Sequence, residues 1–379
     1  MKSDLNLFRN LSLKTENILI PFGIWPTKEK RSLQIAYIYI CIKLLYSVMI
    51  LMKIFFSPES ESIENAITAS NGGLIMIIFH ITSTVKREKI LNLFSYVKME
   101  YTLTRKQDKD WTVLVGKQFQ IIARVFILLL FLAVMMRLII PIIDFTYIKI
   151  MNIDHPYHLP PSMGKFPNFF FGNVITYLIE TCLRFIMLGN LAGISLMFIL
   201  STLHIEGKFY MLALDLKCLK KDDDDKKING LIKEHNEILN KSNILNEIYS
   251  PYFLANCSAS FINLSVMLFS IMTRNANVRN FLIEIPLVGV GMSQLFFLLY
   301  FGERLIDASK LISEAAFKSE WYAKSIDNQK KIQFIIMRAQ RPSKINIGNN
   351  FLVASIYLFS QICQKAWATF NLLRTTINM

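Results

Sequence analysis

The sequence predicts an all-α membrane protein with seven transmembrane helices, a cytoplasmic N-terminus, an extracellular C-terminus and a helical anchor bundle in the cytoplasm. Two observations carry this prediction. Hydrophobic residues make up 53% of the 379 residues and charged residues only 18%, whereas soluble domains usually have about 25% charged residues. The Lys and Arg residues also concentrate in alternate loops between the apolar stretches. Five scattered cysteines exclude a disulfide-stapled secreted module.

Seven apolar stretches are long enough, or nearly so, to cross ~30 Å of hydrocarbon, which takes about 20 helical residues. In chain order they are Leu33–Phe56, Ile63–Val85, Phe119–Ile143, Phe169–Leu203, Ile248–Thr273, Phe281–Leu305 and Phe351–Leu373. The second and the seventh carry the most small and polar residues. That composition is typical of helices that face protein or water instead of lipid.

The orientation follows from the basic residues. The loops 1–32, 86–118, 204–243 and 306–350 hold 30 Lys and Arg, and the loops on the other side hold five. Because positive loops stay in the cytoplasm, this bias places the N-terminus inside and the C-terminus outside. The net charge of +14 is then explained by topology. We expect no nucleic-acid partner.

The chain divides into segments by side of the membrane. They are a cytoplasmic N-terminal segment 1–32, spans one to four in 33–203 with an outer loop 144–168, a cytoplasmic loop and helix extension 204–247, spans five and six in 248–305, an anchor segment 306–350, and the last helix with a short outer tail in 351–379.

The anchor bundle is inferred from helices that outrun the bilayer. The fourth stretch has 35 residues, or ~52 Å as a helix, and helical apolar spacing continues in 232–246, 305–315 and 332–339. These helices could be independent surface helices. Association is favoured, because Trp321 and the run Phe334–Ile336 are costly to expose.

Enzyme motifs are absent: the sequence contains no GxSxG, HExxH, P-loop or CxxC. His155 and His158 lie in the outer loop without a third clear metal ligand. We therefore expect no enzyme, no metal and no cofactor. A receptor, a channel or a transporter fits better, although the internal repeats typical of secondary transporters are not seen.

The last span carries a polar or small stripe at steps of three to four, so one helical face is wet. The stripe consists of Gln361, Gln364 and Lys365, Ala368, Asn371 and Leu372, and Thr375 and Thr376. Such a helix either lines a water-filled path or is buried by small polar contacts. One copy cannot enclose a pore, but several copies around an axis can.

The C-terminal third resembles the insect odorant receptors. The residues that carry the resemblance are Glu234–Leu239, Tyr300–Glu303, Ser309, Ala315, Ala316, Trp321, Tyr322, Arg338–Pro342, Gly348, Phe351, Phe359, Ser360, Lys365, Ala366, Phe370 and Leu372–Arg374. Insect gustatory receptors share the architecture, but their short Thr-Tyr…Gln-Phe signature is missing from the last span.

The resemblance implies a subunit of a ligand-gated, non-selective cation channel in the plasma membrane of a sensory neuron, in contact with lipid. A tuning subunit of this kind assembles with an odorant receptor co-receptor into a heterotetramer. The last span of each subunit surrounds the pore, and a small volatile, mostly apolar ligand binds in the outer half of the bundle. The alternatives are another small-molecule membrane receptor, such as a gustatory receptor, or a G-protein-coupled receptor. The latter requires an external N-terminus, which the loop charges oppose.

The resemblance also implies site residues. Gln361, Ala368, Leu372 and Thr376 are expected to line the pore, with the last two at the gate. The co-receptor has aliphatic residues at both gate positions, so Thr376 departs from it. We expect Lys365 to face a neighbouring helix. No motif marks the ligand pocket. Outer-half residues able to line a cavity, each of which also suits ordinary packing, are Asn71, Leu74, Met135, Ile139, Tyr177, Thr181, Phe261 and Ser265.

Overall fold

The protein is represented by a computed structural model. Its described residues are 34, 37–45, 48, 60–98, 115–129, 131–132, 135, 139, 143, 150, 170–220, 225–273, 278–348 and 351–377. The predicted N-terminal segment 1–32 and the outer loop 144–168, apart from Ile150, lie outside them.

Helices dominate the described chain. They are α1 Ser60–Val85, α2 Arg87–Lys98, α3 Phe170–Lys217, α4 Asp225–Thr273, α5 Val278–Phe317, α6 Ile326–Ala339 and α7 Ile356–Ile377. Residues 37–45 and 115–129 are also helical: the former belong to the predicted first span, and the latter to the third span together with the four residues before its predicted start at Phe119. α1 holds the second span, and α3, α4, α5 and α7 hold the fourth to seventh.

Three helices are far longer than a bilayer requires. α3, α4 and α5 have 48, 49 and 40 residues, which corresponds to roughly 60–75 Å each. Among the described residues, Thr181–Lys217 and Asp225–Phe269 are long and apolar enough to cross a membrane by length and composition. The excess length agrees with the overhang expected from the 35-residue fourth stretch.

An aromatic cluster fixes how the long helices pack. Phe198 of α3 makes edge-to-face contacts with Tyr249 and Phe253 of α4, with ring centroids 4.9 and 5.1 Å apart. Phe79 of α1 packs on the same Tyr249 and on Tyr252, at 5.8 and 5.5 Å. All five rings are fully buried. Each such pair contributes about 0.5–1.5 kcal/mol beyond its burial, so α1, α3 and α4 are held together at this level.

The helix extensions form the predicted bundle. α6 packs against α4 and α5, and it buries Ile332, Ile335 and Ala339 at steps of three and four. Trp321 packs against the common core, as expected, but Phe334 is 67% exposed. Successive side chains of a helix are rotated by about 100°, so Phe334 points away from the face that Ile332, Ile335 and Ala339 bury. We call the packed extensions the anchor bundle; its cytoplasmic location stays a prediction.

The last helix begins at Ile356, five residues after the predicted start of the span. Leu352 and Val353 instead pair, as a short strand, with Asn346 and Ile347. Gly348 makes the intervening turn with φ of 59°, which glycine adopts without strain.

Two residues of α5 hold the start of α7. The Glu303 carboxylate accepts the backbone N–H of Ile356 at 2.8 Å, one of the N–H groups that a helix start leaves without a partner. The neighbouring Gly302 lies so close to Ala354 that a Cβ added to it would lie 2.8 Å from the Ala354 Cβ. The entry to the last helix is thus clamped against α5.

Candidate ligand site and pore helix

One predicted ligand contact, Asn71, lies at the interface of α1 and α4, and two others, Phe261 and Ser265, lie at the same level of α4 on another side of the helix. The Asn71 Nδ2 of α1 donates to the Asn263 Oδ1 of α4 at 2.9 Å. Phe261, two residues before Asn263 on α4, is partly buried against the hydrophobic core. Ser265 is buried, and its hydroxyl donates to the Phe261 carbonyl at 2.8 Å. These residues lie two to four helical turns from the aromatic cluster, on the side of the predicted outer half.

The other predicted contacts are not brought to this interface. Leu74 and Ile139 are 51% and 47% exposed, so their side chains point away from the packed interior of the single chain. Met135 and Thr181 are half-buried on the third span and on α3. Tyr177 belongs to α3, but its side chain lies outside the described part of the structure. Its role stays a prediction.

A buried polar network below this interface was missed from the sequence. Gln294 of α5 donates from Nε2 to the Ser195 hydroxyl of α3 at 2.8 Å and to the Tyr252 hydroxyl of α4 at 2.7 Å. All three residues are at most 2% exposed. The sequence did contain a signal for this network, because Gln294 is the one glutamine in the apolar sixth span. A polar side chain inside a membrane needs a hydrogen-bonding partner. The network joins the three long helices.

Lys43 is a second buried polar residue that joins helices. It is 2% exposed, and its Nζ lies 3.3 Å from the Nδ1 of His80, which is fully buried on α1. Its Nζ also lies 5.9 Å from the centre of the Tyr39 ring. The first span is therefore tied to α1 by a polar contact in its interior.

The last helix packs on its own chain along one narrow face. Leu358, Ile362 and Ala366, at steps of four, are at most 7% exposed. The Phe359 ring packs edge-on against Phe296 of α5 at 5.4 Å. This face contacts α4 and α5.

The predicted pore residues lie beside that face. Gln361 is half-buried, whereas Ala368 and Leu372 are exposed, Leu372 by 66%. Thr376 belongs to α7, but its side chain is not among those described. Lys365 is exposed on the single chain, so a neighbouring helix that covers it would have to come from another subunit.

The anchor bundle concentrates the charged contacts. Arg304 of α5 donates from Nη2 to the Glu206 Oε1 of α3 at 2.5 Å, with side chains 22% and 14% exposed. Burial raises the pKa of Glu206, and the charge and hydrogen bond of Arg304 oppose that rise. Burial and the nearby Arg338 lower the pKa of His235 to about 4.

No group of three His, Cys, Asp or Glu in the described chain could hold a metal.

The sequence profile of the family described as "7tm Odorant receptor" matches residues 65–367. The chain belongs to this odorant receptor family. The match covers most of the chain, including the aromatic cluster, the anchor bundle and the first part of α7. The protein is therefore an all-α membrane protein of a receptor family, and that family is not one of enzymes.

Individual relatives agree with the family match. The chain is 27% identical to the putative odorant receptor 85d of Drosophila melanogaster over 39% of this chain and 35% of that protein. It is 21% identical to the Drosophila odorant receptor 85f over 94% and 93%, and 25% identical to the Drosophila odorant receptor coreceptor over 35% and 27%. The chain spans about a third to a half of the first curated relatives it matches.

A solved structure shares the fold. The insect olfactory receptor OR5 of Machilis hrabei, determined in complex with eugenol, superposes with a TM-score of 0.84. The alignment covers 97% of this chain and 98% of that one at 16% identity. At that identity the likeness concerns the fold alone.

Proposed function

We propose that this odorant receptor is the odorant-binding subunit of a ligand-gated, non-selective cation channel in the plasma membrane. It assembles with the odorant receptor co-receptor into a heterotetramer, with its N-terminus in the cytoplasm and its C-terminus outside. The observation that carries the proposal is the partial packing of α7. The family membership and the similarity to the coreceptor support it.

The exposed face of α7 suits a helix in a ring of subunits. Gln364, Lys365, Ala368 and Asn371 of its polar stripe are exposed, and outside the stripe Tyr357 and Trp367 are 70% and 56% exposed. Polar groups need water or protein partners within a membrane, and large apolar groups need lipid or protein. Copies around an axis satisfy both demands, since the stripe then faces a central water path.

The anchor bundle also presents apolar groups that need a partner. Large side chains outside the predicted spans are exposed on it, namely Phe317, Tyr322, Ile326, Phe334 and Met337. Contiguous apolar surface outside lipid is typical of protein–protein interfaces. Neighbouring subunits are the partners that we propose for this surface.

The ligand is a small volatile, mostly apolar molecule bound among α1, α3, α4 and the third span. A pocket of Met, Ile and aromatic side chains offers such a ligand a large contact area. Binding opens the channel only if the ligand binds the open state more tightly. The clamp of Glu303 and Gly302 on the start of α7 gives α5 a direct route to the pore helix.

Replacing Tyr177 by alanine is expected to shift ligand sensitivity more than the current at saturation, because a pocket contact changes affinity first. The measurement is a dose–response curve with the co-receptor. Ile179→Ala, two residues along α3 and 50% exposed, is the matched control and should leave the curve unchanged. Equal curves for Tyr177→Ala and the wild type would remove Tyr177 from the pocket.

The position of α7 at the pore is tested by cysteine modification. A membrane-impermeant thiol reagent applied with ligand should reduce the current of Ala368→Cys irreversibly, because Ala368 faces the water path. Ile362→Cys is the control, since Ile362 packs on its own chain at 7% exposure. The wild type measures any effect on native cysteines. If Ala368→Cys responds like the wild type, α7 does not line the path there.

A further inference from the structure

Two asparagines in the middle of the bundle have amide atoms without a hydrogen-bond partner among the described residues. Asn190 of α3 is fully buried, and both its Oδ1 and its Nδ2 are in this state. Asn256 of α4 is 2% exposed; its Oδ1 accepts from the Ser260 hydroxyl at 3.3 Å, and its amide lies against the Tyr252 hydroxyl, which leaves at least one of its two N–H groups without such a partner. Leaving a buried amide without a hydrogen bond costs roughly 1–3 kcal/mol. A ligand that hydrogen-bonds to these groups would remove that cost.

Both amides lie on the same side of the aromatic cluster. α3 and α4 run antiparallel, since Phe198 packs on Tyr249 and Phe253, whereas Lys208, further along α3, lies near Glu234 and Glu237, earlier on α4. Asn190 precedes Phe198 by two turns on α3, and Asn256 follows Phe253 by about one turn on α4. The two amides are therefore displaced from the cluster in one direction, toward the candidate ligand contacts on α4.

α1 leaves room at this level. Gly72 lies two turns before Phe79 on the same face, and Phe79 packs on Tyr249 and Tyr252 of α4. A Cβ added to Gly72 would meet no atom within 4 Å. Its neighbour Asn71 is bonded to Asn263. Gly72 and the two asparagines thus lie at a similar height along α1, α3 and α4, on the predicted outer side of the aromatic cluster.

We propose that Asn190 and Asn256 form a hydrogen-bonding subsite of the odorant pocket, which selects volatiles with a hydroxyl or carbonyl oxygen over hydrocarbons. This inference rests on the proposed odorant-binding function. A hydroxyl can donate to the Asn190 Oδ1 and accept from an amide N–H, and a carbonyl can accept from the N–H groups of both residues. A hydrocarbon leaves these amides unpaired, and sites built to hydrogen-bond a ligand discriminate strongly against analogues that lack the group.

The test measures ligand binding by thermal melting of the purified full-length chain. The probes are matched sets: n-octane with n-octanol and octanone, and limonene with carveol and carvone. A ligand that binds the folded state raises the melting temperature by an amount that increases with the ratio of its free concentration to its Kd. In at least one set the oxygenated members should stabilise the wild type more than their hydrocarbon does.

Asn190→Leu and Asn256→Leu should each weaken binding of the oxygenated probes by about tenfold, or 1.4 kcal/mol, and leave the hydrocarbons unchanged. Comparing variants with the wild type cancels the different partition of the probes into detergent. Ser201→Ala is the control: Ser201 is also fully buried on α3, but its hydroxyl donates within the helix to the Met197 carbonyl at 2.9 Å. It should leave all affinities unchanged.

The proposal is overturned if no oxygenated probe stabilises the wild type more than its hydrocarbon. It is also overturned if both leucine variants keep the preference, in which case the amides bind internal water or serve packing alone. If one variant fails to fold, the wild-type comparison and the other variant decide. The assay uses no current, so a chain that binds through Asn190 but never conducts would contradict the channel proposal and leave the subsite intact.

Discussion

Replacing Gly302 by alanine is expected to lower the melting temperature of the receptor and its level at the cell surface. The added Cβ would lie 2.8 Å from the Ala354 Cβ and 3.1 Å from the Ala354 carbonyl oxygen. Relief requires the backbone of α5 or of the α7 entry to move, and overpacking of this kind costs about 1–3 kcal/mol. The measurement is thermal melting of the purified variant together with surface labelling.

Gly289→Ala is the matched control on the same helix. A Cβ there would meet no atom within 4 Å in the described part of the structure, and alanine is the better helix former by about 1 kcal/mol. Gly289→Ala should therefore melt at or above the wild-type temperature. A Gly302→Ala variant that melts like the wild type would show that the α5–α7 contact is looser than 2.8 Å implies.

Replacing Arg304 by methionine should destabilise the anchor bundle by about 3 kcal/mol, because it leaves the largely buried Glu206 carboxylate without its cation. The loss should grow with pH. Without Arg304, its charge and hydrogen bond no longer oppose the rise in the Glu206 pKa that burial causes. The folded state then prefers the protonated acid, and its stability falls as pH rises through the raised pKa. Melting curves at acidic and at neutral pH measure this effect.

Two controls make that result specific. The double variant Glu206→Gln with Arg304→Met removes both charges, so it should lose the pH dependence and recover part of the stability. Lys310→Met, on the same helix, removes the cation of an exposed pair with Asp307, whose side chains are 59% and 68% exposed. Exposed pairs contribute little. Equal losses for Arg304→Met and Lys310→Met would refute a structural role of the buried pair.

The sequence predicted the long helices, because apolar length and helical spacing are properties of consecutive residues and do not depend on tertiary partners. A 35-residue apolar stretch and helical spacing beyond it require α3 to outrun the bilayer, whatever its neighbours are. The start of α7 was harder to predict. Phe351–Val353 is equally suited to strand and helix, and the choice depends on pairing with Asn346 and Ile347 across the turn at Gly348.

The candidate site was only partly predictable, for a related reason. Asn71 stood out as polar, but its partner Asn263 lies 192 residues away and only tertiary packing brings the two together. Leu74 and Ile139 lie in helices that are apolar on most faces. Such helices carry no amphipathic signal to separate a side chain facing a pocket from one facing lipid. Asn190 and Asn256 gained significance only when burial and partners became visible.

The most direct test of the central claim is whole-cell current in cells that express this chain with and without an insect co-receptor, with G-protein signalling blocked and surface delivery confirmed. Volatile ligands should evoke a fast cation current that requires both proteins and survives the block. A response that disappears when G-protein signalling is blocked would contradict the channel and favour a G-protein-coupled receptor.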